Sequence, residues 1–309
     1  MGFELKSHDS QSRRRRLIHR GLLGNDPARF ERAANTTLAE AEVDIAERAA
    51  QPVLVTNSLH IENRGGLAVP TEDLATVPET RPHAGLEAIL SLLRGKRAVS
   101  WLFTGDNIVQ GAGSTDGWRS CVEIFAERVR GELRRAGDVV INTGVSGDSA
   151  RQLLATLKRR VTRYRPEVIG ISLGINDCKA GATGRESFRR TIREILDRVR
   201  TTGGIPLVIL PHPVYVPATR DRSDLRQYVE ILRQVIIRDE VLCVDQWADW
   251  QQHWPDPTET QGRFSDGRIQ LNAEAHQHLA GLIFQTLQIF DSQSAACVGS
   301  IAKSVVRKS

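Results

Sequence analysis

The chain reads as an α/β protein, a three-layer α/β/α sandwich on a five-stranded parallel sheet, and three observations predict this class. From Arg97 onward, short apolar runs alternate with longer stretches of helical periodicity. The short runs are continuously apolar rather than alternating, as expected of strands covered on both faces. Each run also ends in a polar or glycine-rich turn, and doubly wound sheets bind ligands at the carboxyl ends of their strands.

The elements follow in order. "AVSWLFTG" (98–105) is the first strand, and the helix "WRSCVEIFAERVRGELRRAG" (118–137) follows with Val122, Phe125, Val129 and Leu133 on one face. "DVVINTG" (138–144) is the second strand and "SARQLLATLKRRVTRY" (149–164) the next helix. "EVIGISLG" (167–174), "IPLVILP" (205–211) and "EVLCVD" (240–245) complete the sheet. Helices are predicted between them at "ESFRRTIREILDRVRTTGG" (186–204) and "DLRQYVEILRQVII" (224–237), with "NAEAHQHLAGLIFQTLQIF" (272–290) closing the domain. Before Arg97 the pattern is weaker. Asp26 is a suitable N-cap and Pro27 suits a first helical position, so 26–51 reads as a helix, and a second helix over "GLEAILSLLRG" stops at Gly95. The expected organisation is a basic disordered tail (1–25), a helical N-terminal extension packed on the main domain (26–96), the α/β domain (97–290) and a flexible C-terminal tail (291–309).

Composition narrows the function classes. Hydrophobic residues make up 40% and charged residues 26%, enough apolar material for a substantial core. The net charge of +5 is concentrated at the ends: residues 1–20 carry +4 and residues 292–309 carry +3, which leaves −2 for everything between. The run Arg13–Arg16 is the motif for nucleic acid or an anionic surface, but a solvated tail accounts for it more simply. With aromatic residues at only 5% and no basic, aromatic-interleaved strand, nucleic acid is not favoured as a partner. No run of about 18 apolar residues is present, so no membrane span is expected. The first residues lack an apolar signal segment, which reads as a cytoplasmic protein. Cys121, Cys178, Cys243 and Cys297 form no CxxC pair. Without GxGxxG after the first strand and without a Walker A sequence, no nucleotide or other cofactor is expected.

Four polar segments fall at the ends of the expected elements: "TGDNIVQG" after the first strand, "NTGVSGDSA" after the second, "LGINDCKAG" after the third, and "FSDGRIQLNAEAH" before the last helix. In this order and placement they resemble the SGNH, or GDSL-like, hydrolase superfamily over about Val99 to Phe290, with carbohydrate-esterase-like members nearest. The resemblance implies the SGNH-hydrolase (flavodoxin-like) topology and acyl-ester hydrolysis. It assigns the nucleophile position to Asn107, oxyanion-hole donors to Gly147 and Asn176, the triad carboxylate to Asp266 and the base position to Ile269. The family's serine and histidine are thus both replaced.

An amide with a delocalised nitrogen lone pair is no useful nucleophile, and an aliphatic side chain accepts no proton. The expectation is therefore a degenerate hydrolase that binds a small acylated or carbohydrate ligand at a retained pocket. An active ester hydrolase of non-standard arrangement, and binding of nucleic acid or an anionic surface by the basic tails, are the alternatives. Other residues at the site have ordinary roles. His276 and His278 lie beyond the base position, and His276 reads as a packing residue. Cys178 lacks a base, Ser146 and Ser149 read as helix caps, and His212 as a loop histidine. Asp106, Asp148, Asp177 and Asp266 could converge on a hard cation, yet each suits a turn or cap, so no metal is expected.

Overall fold

The computed structural model of the 309-residue chain describes residues 83–111, 115, 117–214, 220–256 and 269–298. The expected basic tail, the helix over 26–51 and Asp266 lie outside the described residues.

The sheet has five parallel strands in the order β2-β1-β3-β4-β5: β1 Ser100–Gly105, β2 Val139–Asn142, β3 Val168–Ser172, β4 Ile205–Ile209 and β5 Leu242–Val244. This order places the residues that follow β1, β2 and β3 side by side. Register is set from Trp101 opposite Val168 and Val140 to Gly105 opposite Ser172, so the first and third polar turns leave the sheet at one level.

Two apolar layers enclose the sheet. On one face Trp101 and Phe103 meet Phe125 edge-on, with ring centroids 5.1 and 4.9 Å apart, and Phe125 stacks on Phe284. Helices α1 (Ala84–Arg94), α3 (Cys121–Ala126) and α8 (Ala273–Thr286) supply this layer. On the other face Leu102, Ile169 and Ile171 pack on α4 (Ala150–Arg160), α5 (Gly181–Thr201) and α6 (Leu225–Arg238). The Trp101 indole keeps a partner despite its burial: Nε1 donates to Asp138 Oδ2 at 2.9 Å, and Arg135 Nε donates to the same oxygen.

Several boundaries differ from the sequence expectation. The helix expected over 118–137 is α-helical only to Ala126 and continues as a π-turn over Glu127–Glu132. Inside that wider turn, Arg128 is buried and donates from Nε and Nη2 to the Ile289 carbonyl at 3.0 and 2.8 Å. Helix α5 begins at Gly181, five residues before Glu186, although "GATG" has poor helix propensity. Tertiary packing decides this: Tyr228 Oη donates to the Gly181 carbonyl at 2.9 Å, and a Cβ on Gly184 would lie 2.4 Å from that hydroxyl. Two unexpected helices follow strands, α2 (Asn107–Gln110) after β1 and α7 (Gln246–His253) after β5. The packed body also runs past Phe290. Ala296 and Cys297 are buried in the α1/α3/α8 layer, Ala296 N donates to Glu132 Oε1 at 3.1 Å, and Gln277 Nε2 donates to the Ala296 carbonyl at 2.6 Å. Residues 291–298, expected in a flexible tail, are thus held by two small apolar side chains that carry no periodic signal.

Candidate active site

The first turn is built by one glycine. Gly105 ends β1 at φ +133°, and a Cβ there would sit 1.9 Å from the Ser172 carbonyl oxygen of β3. Only a residue without a side chain lets the two strands part this closely. Asp106 N then donates to that carbonyl at 3.2 Å, and Asp106 Oδ1 caps α2 by accepting from Ile108 N at 3.0 Å. Asn107 is thereby placed as the first residue of α2, buried at the carboxyl end of the sheet, and α2 ends at Gly111 in the left-handed region.

The second turn carries Gly147 at φ +81°, where a Cβ would meet only open space. Its glycine requirement is conformational, not steric. Ser149 caps α4 in a capping box with Gln152, as the sequence suggests. Asp148 is buried and ion-paired to Arg160. The same guanidinium donates to the Thr143 carbonyl from Nη2 at 2.6 Å and from Nε at 3.1 Å, and to the Gly105 carbonyl at 3.3 Å. One arginine therefore ties the ends of β1 and β2 to the turn.

Asn176 stands in the third turn. Asp177 beside it accepts from Gly174 N at 3.1 Å and from Ala150 N at 2.8 Å, which anchors this turn on the start of α4. Asn176 Nδ2 donates to the Asp148 carbonyl at 3.0 Å and to Asn107 Oδ1 at 3.4 Å. Its Oδ1 accepts from Arg222 Nη2 at 3.5 Å, and Arg222 Nε is held by the Ile175 carbonyl at 3.1 Å. Arg222 is buried and was missed by sequence reasoning, because "TRDRSD" reads as a solvated charged loop. The three turns thus converge: Asn107, Asn176 and the Asp148 carbonyl next to Gly147 form one hydrogen-bonded group. Asn107 Nδ2 is buried and has no hydrogen-bond partner among the described residues.

Ile269, expected at the base position, is half-buried against the apolar layer of α4, α5 and α6. His276 is a core residue. Its Nδ1 accepts from Cys121 N at 3.2 Å, and burial pulls its pKa down to about 4, leaving it neutral. His278 faces away into a contact with Asp249 on α7. His212 is buried beside Trp250 at 5.7 Å between centroids, so it is no exposed rim residue. Cys178 is buried, its Sγ lies 3.4 Å from the Ile175 carbonyl, and burial pushes its pKa to about 12, well out of thiolate range at neutral pH. The aspartates at the rim are committed elsewhere: Asp148 to Arg160 and Asp177 to two backbone N–H groups.

Asp106 is different. Its Oδ2 is buried without a partner among the described residues, and burial, reinforced by Asp177 and Asp148, raises its pKa to about 8 despite the Ile108 N–H that favours the anion. A carboxyl raised on folding stabilises the protein fully below its unfolded value, and that contribution is lost as pH rises towards 8. Wild-type stability to urea is therefore expected to fall between pH 5 and pH 8 more steeply than that of Asp106→Asn, which cannot ionise there. Equal slopes for the two proteins would contradict a buried, protonated Asp106.

The profile of the GDSL-like Lipase/Acylhydrolase family matches residues 103–278. An uncharacterised protein of Mycoplasma pneumoniae is 30% identical over 126 residues, covering 40% of this chain but only 14% of that protein's length. An acetylxylan esterase of Geobacillus stearothermophilus is 26% identical over 170 residues, 48% of this chain and 75% of the esterase. Among solved structures, LAE5, an alpha/beta hydrolase enzyme from the metagenome of Lake Arreo in Spain, shares the fold with a TM-score of 0.54 at 20% identity, over 64% of this chain and 99% of LAE5. The family match spans more than half of the sequence and takes in all three converging turns, and on that ground the chain belongs to the GDSL-like lipase/acylhydrolase family, the SGNH hydrolases.

Proposed function

We propose that the protein keeps the hydrolase fold without serine-esterase activity and binds a small acylated ligand, of the acetylated-carbohydrate class, where the three turns converge around Asn107. One observation carries this reading. Both N–H groups of the Asn176 amide are engaged, on the Asp148 carbonyl and on Asn107 Oδ1, so the expected oxyanion donor is turned onto protein acceptors. On this reading, an asparagine at the expected nucleophile position closes the oxyanion site that it cannot serve. It also leaves its own Nδ2 buried and, among the described residues, unpartnered, a donor suited to a carbonyl oxygen. The relation to an acetylxylan esterase supports an acetylated sugar as the ligand class.

The test is hydrolysis of p-nitrophenyl acetate by the wild type and by Asn176→Ala, together with calorimetric titration of acetylated xylo-oligosaccharides. The expected result is no Asn176-dependent turnover, and saturable binding that Asn107→Ala weakens by about tenfold, the loss of about 1.4 kcal/mol that one hydrogen bond supplies. Asn176-dependent turnover in the wild type would instead support an active esterase of unusual arrangement. The basic ends, outside the described residues, enter neither measurement. Among the described residues no helix is long and apolar enough to cross a membrane.

A further inference from the structure

Away from these turns, helix α7 and the second turn of α8 bring three polar side chains together. Asp249 and His253 lie four residues apart on α7 and so share a face. His278 on α8 approaches the same carboxylate through Nε2, on Asp249 Oδ2, while His253 Nδ1 lies 3.4 Å from Asp249 Oδ1. One donor atom from each residue lies within 4.8 Å of the other two. Among the described residues this is the one set of three or more histidine, cysteine, aspartate or glutamate side chains so disposed.

We propose that Asp249, His253 and His278 form a site for a zinc-class divalent cation, with two imidazole nitrogens and one carboxylate as ligands and the remaining position open to water. Four-coordinate zinc bonds nitrogen and oxygen at about 2.0–2.2 Å, which puts its ligand atoms roughly 3.3–3.5 Å apart. The 3.4 Å between His253 Nδ1 and Asp249 Oδ1 matches that spacing. All three donors lie within 4.8 Å of one another, and side-chain rotations that also release His253 Nδ1 from the Asp249 carbonyl, 2.9 Å away, bring them onto one ion. Two imidazoles select first-row transition metals over magnesium and calcium, which prefer an all-oxygen set. An aromatic shell fixes the imidazole of His278: Trp254 meets it edge-on at 4.7 Å between centroids and Trp250 at 5.5 Å. The side chain of His253 is 51% exposed, which leaves the site an entrance from solvent. A carboxylate with two neutral imidazoles also leaves the bound ion a net positive charge, suited to holding water or an anionic group in the open position.

The test uses the full chain after dialysis against a chelator, titrated with Zn²⁺ by calorimetry and with Co²⁺ by visible absorption. The expected result is one ion per chain, a Co²⁺ d–d spectrum of four- or five-coordinate intensity, and no competition from millimolar Mg²⁺. His253→Ala and Asp249→Asn should each weaken binding by about 100-fold, since each removes one of only three protein ligands. His83→Ala, a helix cap on α1, should leave binding unchanged. His253 is exposed enough that its variant should melt like the wild type. Two results would overturn the site: absence of saturable Zn²⁺ binding in the wild type, leaving only a hydrogen-bonded His–Asp pair, or wild-type affinity in the folded His253→Ala and Asp249→Asn variants, which would put the ion on other groups.

Discussion

Replacing Asn107 by serine together with Ile269 by histidine is expected to create esterase activity at least about 10³-fold above either single variant. That figure is a conservative share of the roughly 10⁶ in turnover that a complete triad contributes in unrelated serine hydrolases. The physical reason lies in the hydrogen bonds of the pocket. The Asn107→Ser change removes the Oδ1 that now occupies Asn176 Nδ2, so one N–H becomes free to serve as the proposed oxyanion donor, next to the Asp148 carbonyl and Gly147. It also supplies an alcohol oxygen at the start of α2, on a turn already held by Gly105 and Asp106. Alone it lacks a base. The Ile269→His change supplies the base, and alone it has nothing to deprotonate, so the two effects should be strongly non-additive. The new imidazole exchanges a half-buried aliphatic contact for a polar ring, with a stability loss of about 1–3 kcal/mol. The assay is p-nitrophenyl acetate hydrolysis, with fluorophosphonate labelling of the Asn107→Ser variants as a second readout. Asp266→Asn in the double-variant background should then cost about 10⁴ in turnover if Asp266 is the orienting carboxylate. A folded double variant that neither turns over nor labels would show that the pocket has drifted beyond repair by two residues.

Gly105→Ala is expected to destabilise the protein by about 4 kcal/mol or more, enough to prevent recovery of folded material. Two penalties coincide at this position. The left-handed φ of +133° is strained for any L side chain, and the new Cβ would fall 1.9 Å from a backbone oxygen. A flexible side chain can move aside, but the Ser172 carbonyl belongs to the neighbouring strand β3 and accepts the Asp106 N–H. Relief would require β1 and β3 to separate at the site. Gly147→Ala is the matched control. It also has a positive φ, +81°, but nothing lies within 4 Å of its new methyl. It should lose only about 1–2 kcal/mol, the cost of the left-handed backbone itself. Urea unfolding of both variants reads the difference, and similar losses would mean that β1 and β3 can separate without penalty.

These glycines show why the fold and its turns were legible in the sequence while contacts between distant residues were not. Gly105, Gly147 and Gly174 mark turns in the sequence because each backbone position demands a positive φ, a local property that leaves a local trace. The apolar runs of β1, β3 and β4 were visible for a similar reason, since these strands are buried almost throughout, whereas edge strand β2 is half-exposed and was legible only from its continuous apolar residues. Arg222 left no such trace. Its partners, Asn176 and the Ile175 carbonyl, are more than 40 residues away, and nothing in "TRDRSD" distinguishes a buried guanidinium from a solvated one. The π-turn at Glu127–Glu132 and the early start of α5 were hidden because both depend on distant groups, the Ile289 carbonyl and the Tyr228 hydroxyl.

By itself, the sequence determined the α/β class and the order of the polar turns, and it carries asparagine at 107 and isoleucine at 269, where the resemblance leads one to expect serine and histidine. These follow from periodicity, turn chemistry and residue identity, all of which are local. Only the tertiary structure decided that Asn107 and Asn176 touch, that Asp106 is sealed from water, and that His278 meets Asp249 and His253 across two helices. Contacts of that kind depend on how helices and strands dock, because side chains 25 or more residues apart acquire a distance only when the core between them is packed.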